Sequence, residues 1–202
     1  EKIDPVRFIG NYSSGKMGFA LAEACAERGA EVTLVAGPVS LKTHHPAIKR
    51  IDVESAGEMY QAAMTAFPSS DAAILCAAVA DYRPENASEQ KIKRETEGEM
   101  TLHLVPNPDI AASLGAIKRE GQVMVGFALE TNDEATHAEG KLKRKNLDFI
   151  VLNSLRDQGA GFRCDTNKIT IIDNAGGVTS YPLKTKREVA CDIVNKLVTL
   201  LK

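Results

Sequence analysis

The chain has 202 residues, of which 44% are hydrophobic and 26% charged, and its formal net charge is -2. That length favours one large domain or two small ones with a substantial core. A balance so close to neutral gives no general affinity for nucleic acid or an anionic membrane surface. No apolar run is long enough to span a bilayer, and the opening EKIDPVRF lacks the basic-then-apolar pattern of a secretory leader.

The cysteines Cys25, Cys76, Cys164 and Cys191 lie far apart, with no C-x-x-C pair. Three sit in apolar surroundings and Cys164 in a polar loop, which reads as reduced thiols of a cytoplasmic protein. The histidines His44, His45, His103 and His137 lack metal-ligand spacing, so neither a zinc site nor a histidine-based nucleophile is supported.

In chain order, the first periodic segment is KMGFALAEACAERG. Met17, Ala20, Leu21, Ala24 and Cys25 share one helical face, Ser13 or Ser14 can cap its start, and Gly29 suits its end. Val32–Ala36 reads as a buried strand ended by Gly37-Pro38, and Ile48–Val53 as another. Ser55-Ala56-Gly57-Glu58 is a capping box for a helix to about Phe67. Ala72–Ala78, Met100–Val105, Val123–Leu129 and Phe149–Leu152 are further strand candidates. Helices are expected at Pro108–Lys118, Glu134–Lys145 and Lys186–Leu201. Lys168–Asp173 and Val178–Tyr181 flank Asn174-Ala175-Gly176-Gly177 as a hairpin.

Uniformly apolar strands separated by amphipathic helices predict an α/β, Rossmann-like fold. It has a mainly parallel sheet covered on both faces and a C-terminal β-hairpin. Ligands of such sheets bind beyond the carboxyl ends of the strands, here Ala77–Arg83, Pro106–Asp109, Phe127–Thr131 and Asn153. The polar stretch Tyr82–Gly98 joins two strands and reads either as a lid or as a solvated surface loop.

Gly10–Met17, GNYSSGKM, shares letters with a phosphate-binding P-loop. Met17 cannot supply the magnesium-binding hydroxyl, and EKIDPVRFI is no convincing strand, so that reading fails twice. What remains is either an anion site of serines and backbone N–H groups at a helix start, or a plain helix cap with a solvated Lys16. In CAAVADYR, small residues at a strand end allow close approach of a ligand, and Asp81 can accept hydrogen bonds from ribose hydroxyls or cap a helix. Lys91, Lys93 and Arg94 of QKIKRE can close over phosphates or stay solvated. PNPDIA and KLKRKN are also explained by helix capping and by the helix dipole.

Taken in order, RFIGNYSSGKMGFALA, AAVADYRP, KIKR, NPDI, GFALETN and KNLDFIVLN resemble the phosphopantothenoylcysteine synthetase (phosphopantothenate–cysteine ligase) family. The resemblance runs from the first residue to at least Asn153. It implies a ligase of coenzyme A biosynthesis that uses CTP and Mg²⁺ to join 4'-phosphopantothenate to L-cysteine through an acyl-cytidylate. It implies a homodimer, often fused to a flavin-dependent decarboxylase. Matched motif by motif, Asn11 holds the acyl intermediate or the pantothenate portion, and Ser13, Ser14 and Gly15 lie near phosphate. Ala77, Asp81, Pro108, Asp109, Ile110, Ala111, Phe127, Lys141 and Lys145 form the nucleotide site. Lys91 is the flap lysine that stabilises activation. No metal ligands are assigned. Family members begin with a hydrophobic strand ahead of the segment matching Glu1, so residues 1–202 are expected to form one ligase domain without its first strand.

Two other readings compete. An NAD(P)-dependent oxidoreductase on a similar fold would carry a G-x-G-x-x-G turn, which this sequence does not contain. A non-catalytic nucleotide-binding module would bind CTP without releasing pyrophosphate.

Overall fold

The computed structural model describes residues 1–93, 99–130, 134–154 and 164–201. Arg94 and Glu95 of the basic loop run, and Thr131 of the strand-end segment, lie outside the described residues.

Helix α1 (Lys16–Ala26) leads to β1 (Val32–Ala36), which pairs in parallel with β2 (Ile48–Asp52). Helix α2 (Ala56–Ala66) and a 3₁₀ turn at Phe67–Ser69 return the chain to β3 (Ala72–Leu75). A short antiparallel ribbon follows, of β4 (Tyr82–Pro84) and β5 (Leu104–Pro106). Then come α3 (Ile110–Ile117), β6 (Val123–Glu130), α4 (Glu134–Arg144) and β7 (Phe149–Ser154). The chain closes with β8 (Thr166–Asn167), β9 (Ile169–Asp173), β10 (Val178–Ser180), β11 (Lys184–Thr185) and α5 (Lys186–Leu200). The main sheet has the order β10-β9-β7-β6-β3, with β3, β6 and β7 mutually parallel and β9–β10 an antiparallel hairpin at one side.

Strand β7 explains why this sheet shows no polar alternation. Phe149 and Val151 point into a core shared with Met17, Leu21 and Ala24 of α1 and with Val189, Ile193 and Val194 of α5. Ile150 and Leu152 point the other way, against Leu114 of α3 and Leu142 of α4. A strand covered on both faces has no solvent side. Each fully buried chain such as Phe149 or Ile193 contributes about 1.5–3 kcal/mol by leaving water.

Strand β1 bonds only β2, while β3 ends the five-stranded sheet, so each presents one unpaired edge among the described residues. Both line one groove, together with the α1 residues Leu21 and Ala22 and the α2 residues Met59 and Ala63. Consistent with that open edge, Ala72–Leu75 is only half-buried along its whole length.

Several local expectations need correction. Helix α1 starts from Gly15 in the left-handed conformation, φ 75°, with no side-chain cap, so neither Ser13 nor Ser14 closes it. The strand expected at Met100–Val105 is Leu104–Pro106, and it pairs with Tyr82–Pro84 outside the main sheet. The stretch after Tyr82 therefore opens with a strand instead of a bare loop. Strand β3 stops at Leu75, short of Ala78. Helix α3 is capped by Asp109, whose carboxylate accepts from the Ala112 N–H at 3.0 Å, and not by Asn107. The Ser55 cap holds as expected, with its hydroxyl 3.1 Å from the Glu58 N–H, although the Glu58 carboxylate reaches back to the N–H of Glu54.

Candidate ligand site at the carboxyl edge of the sheet

A groove of about 3470 Å³ runs from the gap between β1 and β3 past the carboxyl ends of β3 and β6. Three loops and one helix end meet there, and each is held by a side chain the sequence supplies.

The first loop, Gly10–Gly15, delivers the chain to α1. The positive φ of Gly15 demands glycine, and a Cβ there would stand 3.2 Å from a Val39 methyl. The Ser13 hydroxyl accepts weakly from the Gly15 N–H at 3.3 Å. Asn11, Ser13, Ser14 and Gly15 all line the groove. A helix start without a side-chain cap turns its first N–H groups and its positive dipole end toward the ligand space.

The second loop leaves β3 through Ala77 to Asp81. Its backbone is held from both sides by amides. Asn11 Nδ2 donates to the Val79 carbonyl at 3.0 Å, and Asn107 Nδ2 donates to the Ala80 carbonyl at 2.9 Å. The Asn107 N–H also donates to the Asp81 carbonyl at 2.8 Å. Asp81 and Ala77 are both exposed and both line the groove.

The third element is Pro108–Ala111 at the start of α3. Lys145 Nζ lies 3.0 Å from the Asp109 carboxylate. That contact depends on Gly115, where a Cβ would fall 2.2 Å from the Lys145 carbonyl oxygen. Asn146, at φ 52°, braces the same close approach by donating to the Gly115 carbonyl at 3.0 Å. Burial alone would push the Asp109 carboxyl up. The Ala112 N–H, the Lys145 hydrogen bond and the charges of Lys145 and Arg144 outweigh it and hold the carboxyl below its ordinary range. Pro108, Asp109, Ile110 and Ala111 line the groove, as do Phe127, Lys141 and Lys145.

Lys91 stands apart from these residues. It is exposed and does not line the groove. Its neighbour Ile92 is anchored: the Ile92 N–H donates to Asp4 at 3.2 Å and its carbonyl accepts from Arg7 at 3.0 Å. Arg7 also pairs with Asp4, which is 2% exposed and held well below the ordinary carboxylate range by that bond and by the Val6, Arg7 and Ile92 N–H groups. The basic segment is thus tied at its root to the N-terminal turn.

Sequence reasoning missed Asp4, Arg7 and Asn107 as organisers of this edge. An Asn-Pro pair before a helix, as at Asn107-Pro108, reads as a cap; the contact of Asn107 with Ala80 instead goes with the β4–β5 pairing. Among the described residues there is no group of three or more His, Cys, Asp or Glu side chains that could hold a metal ion.

An α/β sheet with a groove beyond its strand ends has the architecture in which small molecules bind at the carboxyl edge of the strands. The chain belongs to the DNA/pantothenate metabolism flavoprotein C-terminal domain family, whose model matches residues 1–201. It is 48% identical over its whole length to the coenzyme A biosynthesis bifunctional protein CoaBC of Vibrio parahaemolyticus, covering 50% of that protein. It is 59% identical over 201 residues to a protein named cysteine/cysteine sulfinic acid decarboxylase from an unknown prokaryotic organism, covering 56% of it. The chain thus spans about half the length of the curated relatives it matches. The crystal structure of the C-terminal domain of a CoaBC protein superposes with a TM-score of 0.82 at 40% identity, covering 99% of this chain and 91% of that one. A Cab2 H337A mutant in complex with phosphopantothenate-cysteine shares the fold, with a TM-score of 0.73 at 15% identity and 98% and 82% coverage.

Proposed function

We propose that residues 1–202 form a phosphopantothenate–cysteine ligase domain of coenzyme A biosynthesis. The observation that carries this reading is the hydrogen bond from Asn11 to Val79, which fastens the Gly10–Gly15 loop to the loop bearing Ala77 and Asp81. An anion-binding helix start and a nucleoside-binding strand end then share one groove, as joining a carboxylate to an α-phosphate requires.

In the proposed chemistry a carboxylate oxygen of 4'-phosphopantothenate attacks the α-phosphorus of CTP. The bond to pyrophosphate breaks and an acyl-cytidylate forms. The amine of L-cysteine then attacks the acyl carbon, the bond to CMP breaks, and the ammonium proton passes to solvent. Asn11 holds the activated acid, and the helix start behind Ser13, Ser14 and Gly15 receives phosphate. Ala77, Pro108–Ala111 and Phe127 enclose the nucleotide. Asp81 takes the ribose, and Lys141 and Lys145 complete the pocket. Lys91 descends with its loop onto the phosphates and neutralises charge developing at the α-phosphorus. The described residues provide no carboxylate cage, so Mg²⁺ would be carried largely by the phosphates of the nucleotide.

The sheet is completed, in this reading, by an extended segment from elsewhere in the polypeptide, lying between β1 and β3. The two unpaired strand edges along the groove support it. The domain works as a homodimer, supported by Val6, Phe8 and Tyr12, which are 62%, 75% and 78% exposed on one N-terminal segment. The remaining length of the relatives supports fusion to a decarboxylase. No helix of the described residues is long and apolar enough to cross a membrane. An NAD(P)-dependent oxidoreductase is not favoured, because the family matched points away from it.

Pyrophosphate release from CTP in the presence of 4'-phosphopantothenate tests the reading. Binding of NAD(P) with no pyrophosphate release would refute it.

A further inference from the structure

Arg50, on β2, gathers three parts of the chain around one guanidinium. Its side chain is 24% exposed. Nε and Nη2 lie 2.7 and 2.6 Å from one carboxylate oxygen of Asp52. Nη1 donates to the Leu41 carbonyl, and Nη2 reaches the Val39 carbonyl at 3.5 Å. The guanidinium carbon stands 5.3 Å from the centre of the Phe19 ring, and Phe19 is a buried residue of α1. Strand, loop and helix thus meet at a single cation, with each nitrogen of its fork engaged.

The loop after β1 takes its hold from that cation. Among the described residues, residues 39–41 make no other hydrogen bond. Val39 in turn lies against Gly15: its methyls stand 3.2 and 3.3 Å from the place of a Gly15 Cβ. Val39 and Gly15 both line the groove, whereas Arg50 does not.

Gly15 opens α1 at φ 75° with no side-chain cap. A glycine has many other backbone conformations within reach, so the packing around it decides whether the turn keeps its shape. Asn11 fastens the far part of the Gly10–Gly15 loop to Val79. At the α1 end, the side chain over Gly15 is Val39. The first N–H groups of a helix bind an anion best when the turn before them is already fixed.

We propose that Arg50 is a positioning residue for the phosphate site of the ligase: by holding the Val39 and Leu41 carbonyls it keeps Val39 on Gly15, and so keeps the N–H groups that open α1 aimed at the phosphates of CTP. The inference rests on the ligase reading above. Arg50 acts here through Val39 and touches no substrate. The role calls for a planar fork, because one ammonium cannot serve Asp52 and two carbonyls while lying over Phe19.

The test uses the full-length protein, with pyrophosphate release and equilibrium dialysis of CTP alone measured for each variant. Arg50→Met should raise KM for CTP by about tenfold or more, with kcat within about threefold of wild type. The dissociation constant of CTP should rise in step. Val39→Ala keeps the guanidinium and removes the methyls over Gly15, and it should weaken CTP in the same way. The double variant should bind CTP no worse than the weaker single, since both changes break one chain of contacts. Arg50→Lys should behave as Arg50→Met does. Full CTP affinity in Arg50→Lys would mark a charge effect, and losses that multiply in the double variant would mark two separate causes; either overturns the proposal. So does an unchanged KM in Arg50→Met, or a rise confined to 4'-phosphopantothenate. If Arg50→Met fails to fold, Val39→Ala and Arg50→Lys decide. Should wild type bind CTP yet release no pyrophosphate with the acid present, the ligase reading fails, and the dialysis series still judges Arg50.

Discussion

The side chain of Asn11 donates to the carbonyl of Val79 at 3.0 Å, across 68 residues of chain. From the far side, Asn107 donates to Ala80 at 2.9 Å. The loop after β3 is therefore clamped by two amides, and its backbone is offered to the groove in one shape. Pre-organisation of this kind spares a loop its ordering cost when a ligand arrives.

Asn11→Ala removes one clamp and the amide expected to grip the acyl-cytidylate. Loss of one such polar contact to a reacting group costs about 10²–10³ in rate. Product formation should fall by that factor while the melting temperature moves little, as measured by single-turnover kinetics and calorimetry. Full activity in Asn11→Ala would remove it from the site.

Lys91 is exposed away from the groove, while Ile92 beside it is fixed to Asp4 and Arg7. A lid pivoting on that anchor predicts that Lys91→Gln lowers the rate of pyrophosphate release by about 10²–10³ with little change in CTP affinity. Equal losses in affinity and rate would place the lysine in ground-state binding instead.

Gly115 admits the Lys145 carbonyl where a Cβ would sit 2.2 Å away. Gly115→Ala must push α3 off that backbone, and overpacking costs about 1–3 kcal/mol. Lower thermal stability should come with weaker CTP binding, because the Asp109–Lys145 pair separates as α3 moves. Chemical denaturation and equilibrium dialysis read the two effects.

Asp4 is held below the ordinary carboxylate range when folded, first by Arg7 and then by backbone N–H groups. A depressed carboxylate contributes stability above its unfolded pKa and loses it as pH falls through the folded value. Below about pH 4, therefore, the N-terminal turn should loosen and release Ile92. Asp4→Asn should weaken the turn already at pH 7 and flatten the stability–pH curve below pH 4. Amide hydrogen exchange at Ile92 follows both.

Much of this was legible in the sequence because one physical cause dominated at each position. Val32–Ala36 is a strand to the residue because it is apolar and stopped by Gly37-Pro38. The hairpin at Asn174–Gly177 follows from its turn residues, with Gly176 at φ 87°. The misses arose where distant chain overrode local signals. Ser13 and Ser14 look like caps, yet Gly15 makes the turn. Leu104–Pro106 looks like a sheet strand, yet its partner is the ribbon strand Tyr82–Pro84. Asn11, Ala77, Asp81 and Lys145 border one groove, and Lys91 does not. Asn153 reads in the sequence only as a strand end, and nothing local marks Asn167 or Lys186, because their burial depends on how α1 and α5 come together.

The most direct test of the ligase account is pyrophosphate release, measured separately with CTP, ATP, GTP and UTP, each with and without 4'-phosphopantothenate and without cysteine. Release confined to CTP, and dependent on the acid, is the expected result. Release indifferent to the acid, or none with any triphosphate, would contradict it.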